Sequence, residues 1–585
     1  MPPGDLPAAD ILRSMTPGLL RALAALAVAA PAAFAEPPKD ETPKPADRAG
    51  VEPGALAPAG YPGGEATAAR MRAIVSSAKG RAALVPVAVS RERRPVQAIV
   101  LGADAKGRRP AMLLVGGMDG VNLASTEQVL ASLETIVREH PAILDTMRIY
   151  AIPEANPDAR AWAMTQGRPR ATNARMIDDD RDGWADEDGP SDANGDGVVS
   201  MIRRIAPPGE AATHLVDAVD SRIVRTANRE KAEIATHQLF VEGIDRDGDG
   251  LVAEDGEGGV DLDRNFPHRW PEFAADAGPY QLSEPESIAI ARFVRERPEI
   301  VTAVVFGRHD TLVNFPDAKD KDATGRTPVA YLAEDHGLYR QLSTAWKEST
   351  KIERSDGAEL GGSLVLWLAN HRGIAAVAAN GWSRPELPKP PEGAEVKETG
   401  DAEQAAWLAL SDGPYGSRGF VAWKPWTHPT LGACEIGGFM PSFRESPTHA
   451  QSIDLAARTA PFVARLAEWQ PKVEVAAARA TPLADGLVRI EARIASTGKL
   501  ATTTEMGRIS EAVPPVVVRL VAGGRPVSPE LVLQGRPVEK LARLEPGATR
   551  EFQWIVRAPS DARVEVSVTG PFFDEIRVQP AGGVQ

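Results

Sequence analysis

Three short segments place oxygen-bearing side chains on alternate residues and close on glycine. They are Asp178-Asp179-Asp180-Arg181-Asp182-Gly183, Asp192-Ala193-Asn194-Gly195-Asp196-Gly197 and Asp245-Arg246-Asp247-Gly248-Asp249-Gly250. Alternate residues of a tight loop can aim several oxygens at one centre, and glycine at the sixth position permits the turn. That is the donor pattern of a calcium ion, which takes six to eight oxygens. The predicted Ca2+ ligands are Asp178, Asp180 and Asp182 in the first loop, Asp192, Asn194 and Asp196 in the second, and Asp245, Asp247 and Asp249 in the third. None of the loops has glutamate at position twelve, so none is a complete EF-hand. Glu187-Asp188 and Glu254-Asp255 follow the first and third loops. Asp188 and Asp255 are therefore expected to close those two shells, and the second loop to share ligands with the first.

The same segments account for the charge of the chain. Its 585 residues carry a formal net charge of −14. Residues 178–196 and 242–263 each hold nine acids and one base, so the rest of the molecule is close to neutral. Carboxylates this dense repel one another unless a cation lies among them. The acidic balance excludes a nucleic-acid partner, which needs a surplus of lysine and arginine on the contact face. A single cysteine excludes an internal disulfide framework.

The length implies more than one domain, because single cores rarely grow past roughly 300 residues. Arg13 and Arg21, an apolar run over 22–30 and Ala33-Phe34-Ala35 predict an export signal over 1–35 and a secreted or periplasmic protein. The run is too short to span a membrane, and no other apolar run reaches about 18 residues. Residues 36–65 have the Pro/Lys/Glu composition of a disordered linker.

From 66 to 470, apolar runs alternate with helical patterns. Strands are predicted at 111–115, 147–152 and 301–306, and a helix at 125–139. Ser283-Glu284-Pro285-Glu286 reads as a capping box opening a helix to about Arg297. This is an α/β class: a mixed, largely parallel sheet with helices on both faces, and with the acidic loops as insertions at 178–203 and 245–256. Ligands of such sheets sit at the carboxyl ends of the strands, so the turns after Val115 and Phe306 are the places for chemistry. Residues 471–585 alternate apolar and polar at 487–494, 516–520, 552–556 and 564–568, which predicts a β-sandwich accessory domain.

Gly259-Val260-Asp261-Leu262-Asp263-Arg264-Asn265-Phe266 followed by Ser283-Glu284-Pro285-Glu286 resembles the carboxypeptidase A-like zinc peptidases. Asn156-Pro157-Asp158 after a strand, Gly362-Ser363 through Gly373-Ile374, and His428-Pro429-Thr430-Leu431-Gly432 with Glu435-Ile436-Gly437-Gly438 are similar to further segments of that family and its exported bacterial members. The resemblance implies Zn2+ held by two histidines and a glutamate, with a second glutamate as general base on the zinc-bound water. It also implies an Asn-Arg pair and another arginine that hold the substrate's terminal carboxylate.

This sequence departs from that pattern at several points. The turn Gly116-Gly117-Met118-Asp119-Gly120-Val121-Asn122 puts Asp119 and Asn122 at the first two ligand positions, and a neutral amide is a poor zinc ligand. The third ligand falls on Gly307 by ungapped match, or on His309 after a shift of two. The general-base position is Gly381, with Glu435 as the possible substitute. In the clamp Arg264 is kept, beside Asp263 where asparagine is expected. Arg264 is either a substrate ligand or an ion pair of Asp261 or Asp263, and Arg203 and Arg204 are candidates for the second arginine.

The leading expectation is an exported, catalytically degenerate relative acting as a calcium-stabilised binding or scaffold protein for peptide or cell-envelope fragments. An active metallocarboxypeptidase or amidase using Asp119, His309 and Glu435 is the alternative. A matrix or adhesive role of the β-domain is a third reading, and no motif specifies an oligomeric state.

Overall fold

The computed structural model describes residues 56–582 except 105, 167, 179–182, 318, 323, 388–398 and 558–562. The export signal expected over 1–35 and the loop ligands Asp180 and Asp182 lie outside the described residues. The linker expected over 36–65 is shorter at its far end. Ala57 and Tyr61 are buried beside Leu123 and Ala163, and the Tyr61 hydroxyl donates to Pro447 O at 3.0 Å.

The chain then forms α1 (Gly64–Ser77), β1 (Ala82–Val89), β2 (Pro95–Leu101), β3 (Ala111–Val115), α2 (Ala124–Glu139), β4 (Arg148–Ile152) and α3 (Pro157–Thr165). Four short strands follow, β5 (Met201–Ile205), β6 (His214–Val216), β7 (Val224–Thr226) and β8 (His237–Val241). Next come α4 (Pro285–Arg295), β9 (Ile300–Phe306), α5 (His336–Thr350), α6 (Leu364–Arg372), β10 (Ala375–Ala379), α7 (Ala402–Asp412), β11 (Phe420–His428), β12 (Gly432–Phe439) and α8 (His449–Ala467).

The first sheet has the order β1-β2-β4-β3-β9-β10. β4, β3, β9 and β10 run parallel, while β1 and β2 are antiparallel additions at one edge. Every residue of β3 and β10 is buried, so both faces of the sheet centre are covered, as their unbroken apolar runs require. Leu113, Val304, Phe306, Trp346 and Phe462 belong to this core, and each such side chain contributes about 1.5–3 kcal/mol relative to exposure.

A second sheet, β11-β12-β5-β8-β6-β7, is antiparallel throughout. It is built from segments far apart in sequence: Glu435 of β12 lies opposite Arg203 of β5.

The segment over 283–286 does not form a capping box. Glu284 is the N-cap of α4 but makes no side-chain cap. Its carboxylate instead takes Arg91 Nε at 2.7 Å, Asn173 Nδ2 at 2.9 Å and Arg175 Nη1 at 3.0 Å. Ser283 Oγ, the expected cap, donates to that carboxylate at 2.8 Å, and the Glu286 carboxylate takes Arg91 N and Asn173 Nδ2. The helix ends at Arg295.

The C-terminal part carries two antiparallel sheets of four and five strands around Ile490, Val518, Trp554 and Val566, which makes a β-sandwich. It docks on the α/β part through Asp335, which accepts from the N–H groups of Glu505 (2.7 Å) and Met506 (2.9 Å), and through Thr504 Oγ1, which donates to Gly373 O.

Candidate functional site

β3 and β9 are neighbours in parallel register, as are β9 and β10, so the turns that follow them meet at one end of the sheet. After β3, Gly117 adopts φ +59°, and a Cβ there would lie 2.8 Å from Glu154 Cα. Glycine is therefore needed for the chain to turn against the β4 exit. Asn156 caps α3 by accepting from Ala159 N, and its amide donates to Met118 O at 3.2 Å. The Asn-Pro-Asp motif thus braces the turn that presents Asp119 and Asn122.

Asp119 is 2 % exposed. Its Oδ1 accepts from the N–H groups of Val121 (2.8 Å) and Asn122 (2.6 Å). Its Oδ2 faces Arg308 Nε at 3.3 Å. Arg308 follows β9, and its Nη2 donates to Asp261 Oδ2, whose residue lies in the Gly-Val-Asp-Leu-Asp-Arg segment. Burial acts against the Arg308 charge, but the carboxylates of Asp261 and Asp119 outweigh it and hold the guanidinium pKa above its ordinary value.

The neighbouring His309 is buried. Its Nε2 lies 3.4 Å from Asp263 Oδ2 and 3.3 Å from Asp263 O, and its Nδ1 lies 3.3 Å from Ala358 O. Asp263 Oδ1 accepts from Leu364 N at 2.7 Å. Burial pushes the Asp263 carboxyl above its usual range, against the opposing effect of the His309 ring.

Asn122 spends its amide on the other side of the site. Nδ2 donates to Gly307 O at 2.9 Å and to Asn380 Oδ1 at 3.0 Å, while its Oδ1 accepts from Ser125 N. Asn380 closes the end of β10 by donating to Asp356 O. Gly381 has φ +71°, and a Cβ there would lie 3.0 Å from Leu455 and 3.5 Å from Ile352. A side chain at that position would start into apolar packing.

Arg264 pairs with neither Asp261 nor Asp263. Its Nε lies 3.0 Å from Asp276 Oδ1. Asp263 is 2 % exposed and committed to Leu364 N and His309, so it is turned away from any ligand in solution. Glu435 lies in the second sheet, where its Oε2 takes Arg203 Nε at 2.8 Å. Arg203 also stacks on Trp423 at 4.4 Å and donates to Ser221 O. Arg204 is held by Gln238 and Glu210.

A cleft of about 570 Å³ opens between the strand ends and the second sheet. Val121 and Arg308 reach it from the first side, and Arg222, Trp423, Phe439 and Arg444 from the other. Arg264 is not among its walls, and all of its walls come from residues 121–445.

The acidic loops regroup relative to the sequence expectation. Asp188 joins Asp247 and Glu254 of the third loop, with one oxygen from each within 4.8 Å of the others. Asp245, Asp247 and Asp249 form an overlapping group of the same kind. Asp255 Oδ2 accepts from Asp188 N at 2.8 Å, which ties the two loops together. Asp178 Oδ2 accepts from Gly183 N at 3.2 Å across its own loop.

In the second loop Asp192 accepts from Gly195, Asp196 and Gly197 N–H groups, and Asn194 Nδ2 donates to Asp196 Oδ2. That loop is braced by the buried Glu242, which accepts from Ala193, Asn194 and Ser200. Burial, then the carboxylates of Asp188, Asp249 and Asp255, push the Glu254 carboxyl up to about 7.

Residues 67–380 match the zinc carboxypeptidase family, and residues 472–579 match a domain of unknown function (DUF8731). The first match spans more than half of the chain, so this protein belongs to the zinc carboxypeptidase family. Among solved structures it is similar to bovine thrombin-activatable fibrinolysis inhibitor in complex with tick carboxypeptidase inhibitor, at 12% identity over 70% of this chain and 97% of that one, with TM-score 0.36. It is also similar to carboxypeptidase A from Helicoverpa armigera, at 13% identity over 69% and 73% with TM-score 0.34. A metallo-carboxypeptidase from Burkholderia cenocepacia aligns at 9% identity over 69% of each chain with TM-score 0.32. No curated protein matches the chain.

The zinc of that family does not fit the donors present here. A zinc site needs about three ligand atoms converging on one point. Asn122 offers an amide whose N–H groups are already given to Gly307 and Asn380. Among the described residues, no group of three converging His, Cys, Asp or Glu atoms includes Asp119 or His309. Arg308 and Asn380 carry much of the geometry and were missed as site residues. Their signal was position: both sit in the turns that end β9 and β10.

Proposed function

We propose that this chain is a catalytically degenerate zinc carboxypeptidase relative that serves as an exported, calcium-stabilised binding or scaffold protein for peptide or cell-envelope fragments. The observation that carries this reading is the pair of positions at Asn122 and Gly381. One offers an amide engaged as a donor, and the other a glycine packed on Leu455. A metal ligand and a general base are needed together for hydrolysis of this type, and neither position supplies its part.

The cleft supports binding. It brings Arg222, Arg308 and Arg444 beside Trp423 and Phe439, a combination suited to acidic or carboxylate-bearing fragments with apolar groups. Calcium is supported by the convergence of Asp188, Asp247 and Glu254, and by the Glu254 carboxyl, which burial first and the neighbouring carboxylates second push up to about 7. Export follows from the N-terminal sequence pattern, and no helix among the described residues is long and apolar enough to cross a membrane.

The test is metal analysis of the purified full chain, together with assay on peptides bearing free C-termini. The expected outcome is no stoichiometric zinc and no chelator-sensitive cleavage. One zinc per chain with chelator-sensitive release of C-terminal residues would establish the active alternative instead.

A further inference from the structure

Asp119 and Asp261 are buried to 2 % and 1 % exposure, and the two come from different parts of the chain. Buried carboxylates in such proximity require a cation or must give up their charge. Asp263, the third carboxylate of the group, lies beside His309. Arg308 enters from the end of β9, one residue from the histidine that a family-like site would use, and places its guanidinium between Asp119 and Asp261. Its side chain is 25 % exposed, on the wall of the cleft.

We infer that Arg308 is the resident cation of this site and takes the electrostatic place of the family's divalent metal. The substitution is of charge and not of chemistry. A guanidinium binds carboxylates through fixed N–H donors and cannot be deprotonated at physiological pH. It has no open coordination position, so it cannot lower the pKa of a bound water or polarise a carbonyl as a Lewis acid. It can still hydrogen-bond an oxygen of a group lying in the cleft.

The replacement also explains the rest of the turn. With the positive charge supplied by the chain, Asn122 is released to tie β3, β9 and β10 together through Gly307 and Asn380. Removing one partner of such a buried group leaves uncompensated charge, so the arginine is a structural requirement once the metal is lost. This inference rests on the reading that the site binds no zinc, and adds what neutralises it.

The test compares the full wild-type chain, Arg308→Met, and Arg308→Met with Asp261→Asn, in calcium-containing buffer. Melting temperature and zinc content after incubation with zinc and desalting are read on each. The Met variant should melt about 5 °C or more below wild type, and the double variant, with one carboxylate charge also removed, should regain at least half of that loss. Folding of the double variant where the Met variant yields no folded protein is the same result in stronger form.

A Met variant that melts with the wild type overturns the inference while leaving the non-catalytic reading intact. One zinc ion per chain retained by the wild type overturns both. That zinc measurement is made on the native chain and decides whichever variants fold.

Discussion

At the end of the parallel sheet, Asp119 and Asp261 converge on a guanidinium from their own chain. In the inserted loops, Asp188, Asp247 and Glu254 converge on one another. The first cluster is placed by turns welded to a buried sheet, with every carboxylate oxygen named above facing an N–H donor or a ring nitrogen. The second lies on tight loops whose oxygens are largely occupied by their own backbone amides, as Asp245 is by Gly248 and Gly250. Among the described residues Arg246 Nη1 approaches it, 3.8 Å from Asp188. Charge neutralised from within needs nothing from solution. Charge left to solution makes that part of the molecule responsive to cations and to pH.

The sharpest way to break this contrast is at its self-contained end. Arg308→Met should cost about 3–5 kcal/mol, the range for removing one partner of a buried ion pair. Added divalent cations should restore little of it in the double variant, where one carboxylate charge is gone. Thermal unfolding with and without the cation reads both.

The loops should give the next largest effect. Removing calcium by chelation should lower the melting temperature, and returning it at about 100 times its dissociation constant should restore roughly 2.7 kcal/mol. Asp247→Asn, which alters both converging groups, should abolish most of that response while leaving the cation-free melting temperature unchanged or raised. A wild-type chain indifferent to chelation would remove the contrast altogether.

A smaller effect should appear in the pH dependence. The folded Glu254 carboxyl titrates near about 7 against an ordinary value of 4.5. Without calcium, the folded state holds this proton more tightly than the unfolded chain does. Stability is therefore fully favoured below about 4.5 and is lost as pH rises from there to about 7. Calcium needs the ionised form, so its affinity should rise through the same window with release of a proton. Glu254→Gln should flatten both dependences. Glu286, buried and also raised to about 7, contributes equally to both proteins, so the difference between them isolates Glu254.

These elements were not equally legible in the sequence. The strands at 111–115 and 301–306 announce themselves as unbroken apolar runs, and the turns after them were marked as the site before any geometry. The acidic loops are legible because alternate oxygens before a glycine is a local pattern. Which carboxylates share a centre is not local: Asp188 belongs by sequence to the first loop and by geometry to the third. The second sheet escaped for the same reason, since a strand of five residues such as Met201–Ile205 gains meaning only from a partner as distant as β12. Arg308 carries no local signal in the sequence, standing beside His309, the residue type a zinc site needs. Ser283 shows the converse, a local capping signal overridden when its hydroxyl turns to the Glu284 carboxylate that Arg91 and Arg175 hold.

The smallest effect is expected at Glu435, and it bears on the alternative reading. Its side chain is 40 % exposed and its partner is Arg203. The pair is open to solvent at its Glu435 end only, Arg203 being 8 % exposed, so its contribution is set at the upper end of the surface range, about 1 kcal/mol. Arg203 keeps its stack on Trp423 and its bond to Ser221 O without it, so Glu435→Gln should leave the fold and the cleft wall in place. Were Glu435 the general base of a rearranged metallopeptidase, the same change would cost roughly a hundredfold or more in turnover at nearly constant stability. Melting temperature and peptide hydrolysis measured together separate the cases. An unchanged melting temperature with no hydrolysis in either protein keeps Glu435 as a surface ion pair. A wild-type activity lost on substitution moves the chemistry into the second sheet and makes Asp119 and Arg308 its floor.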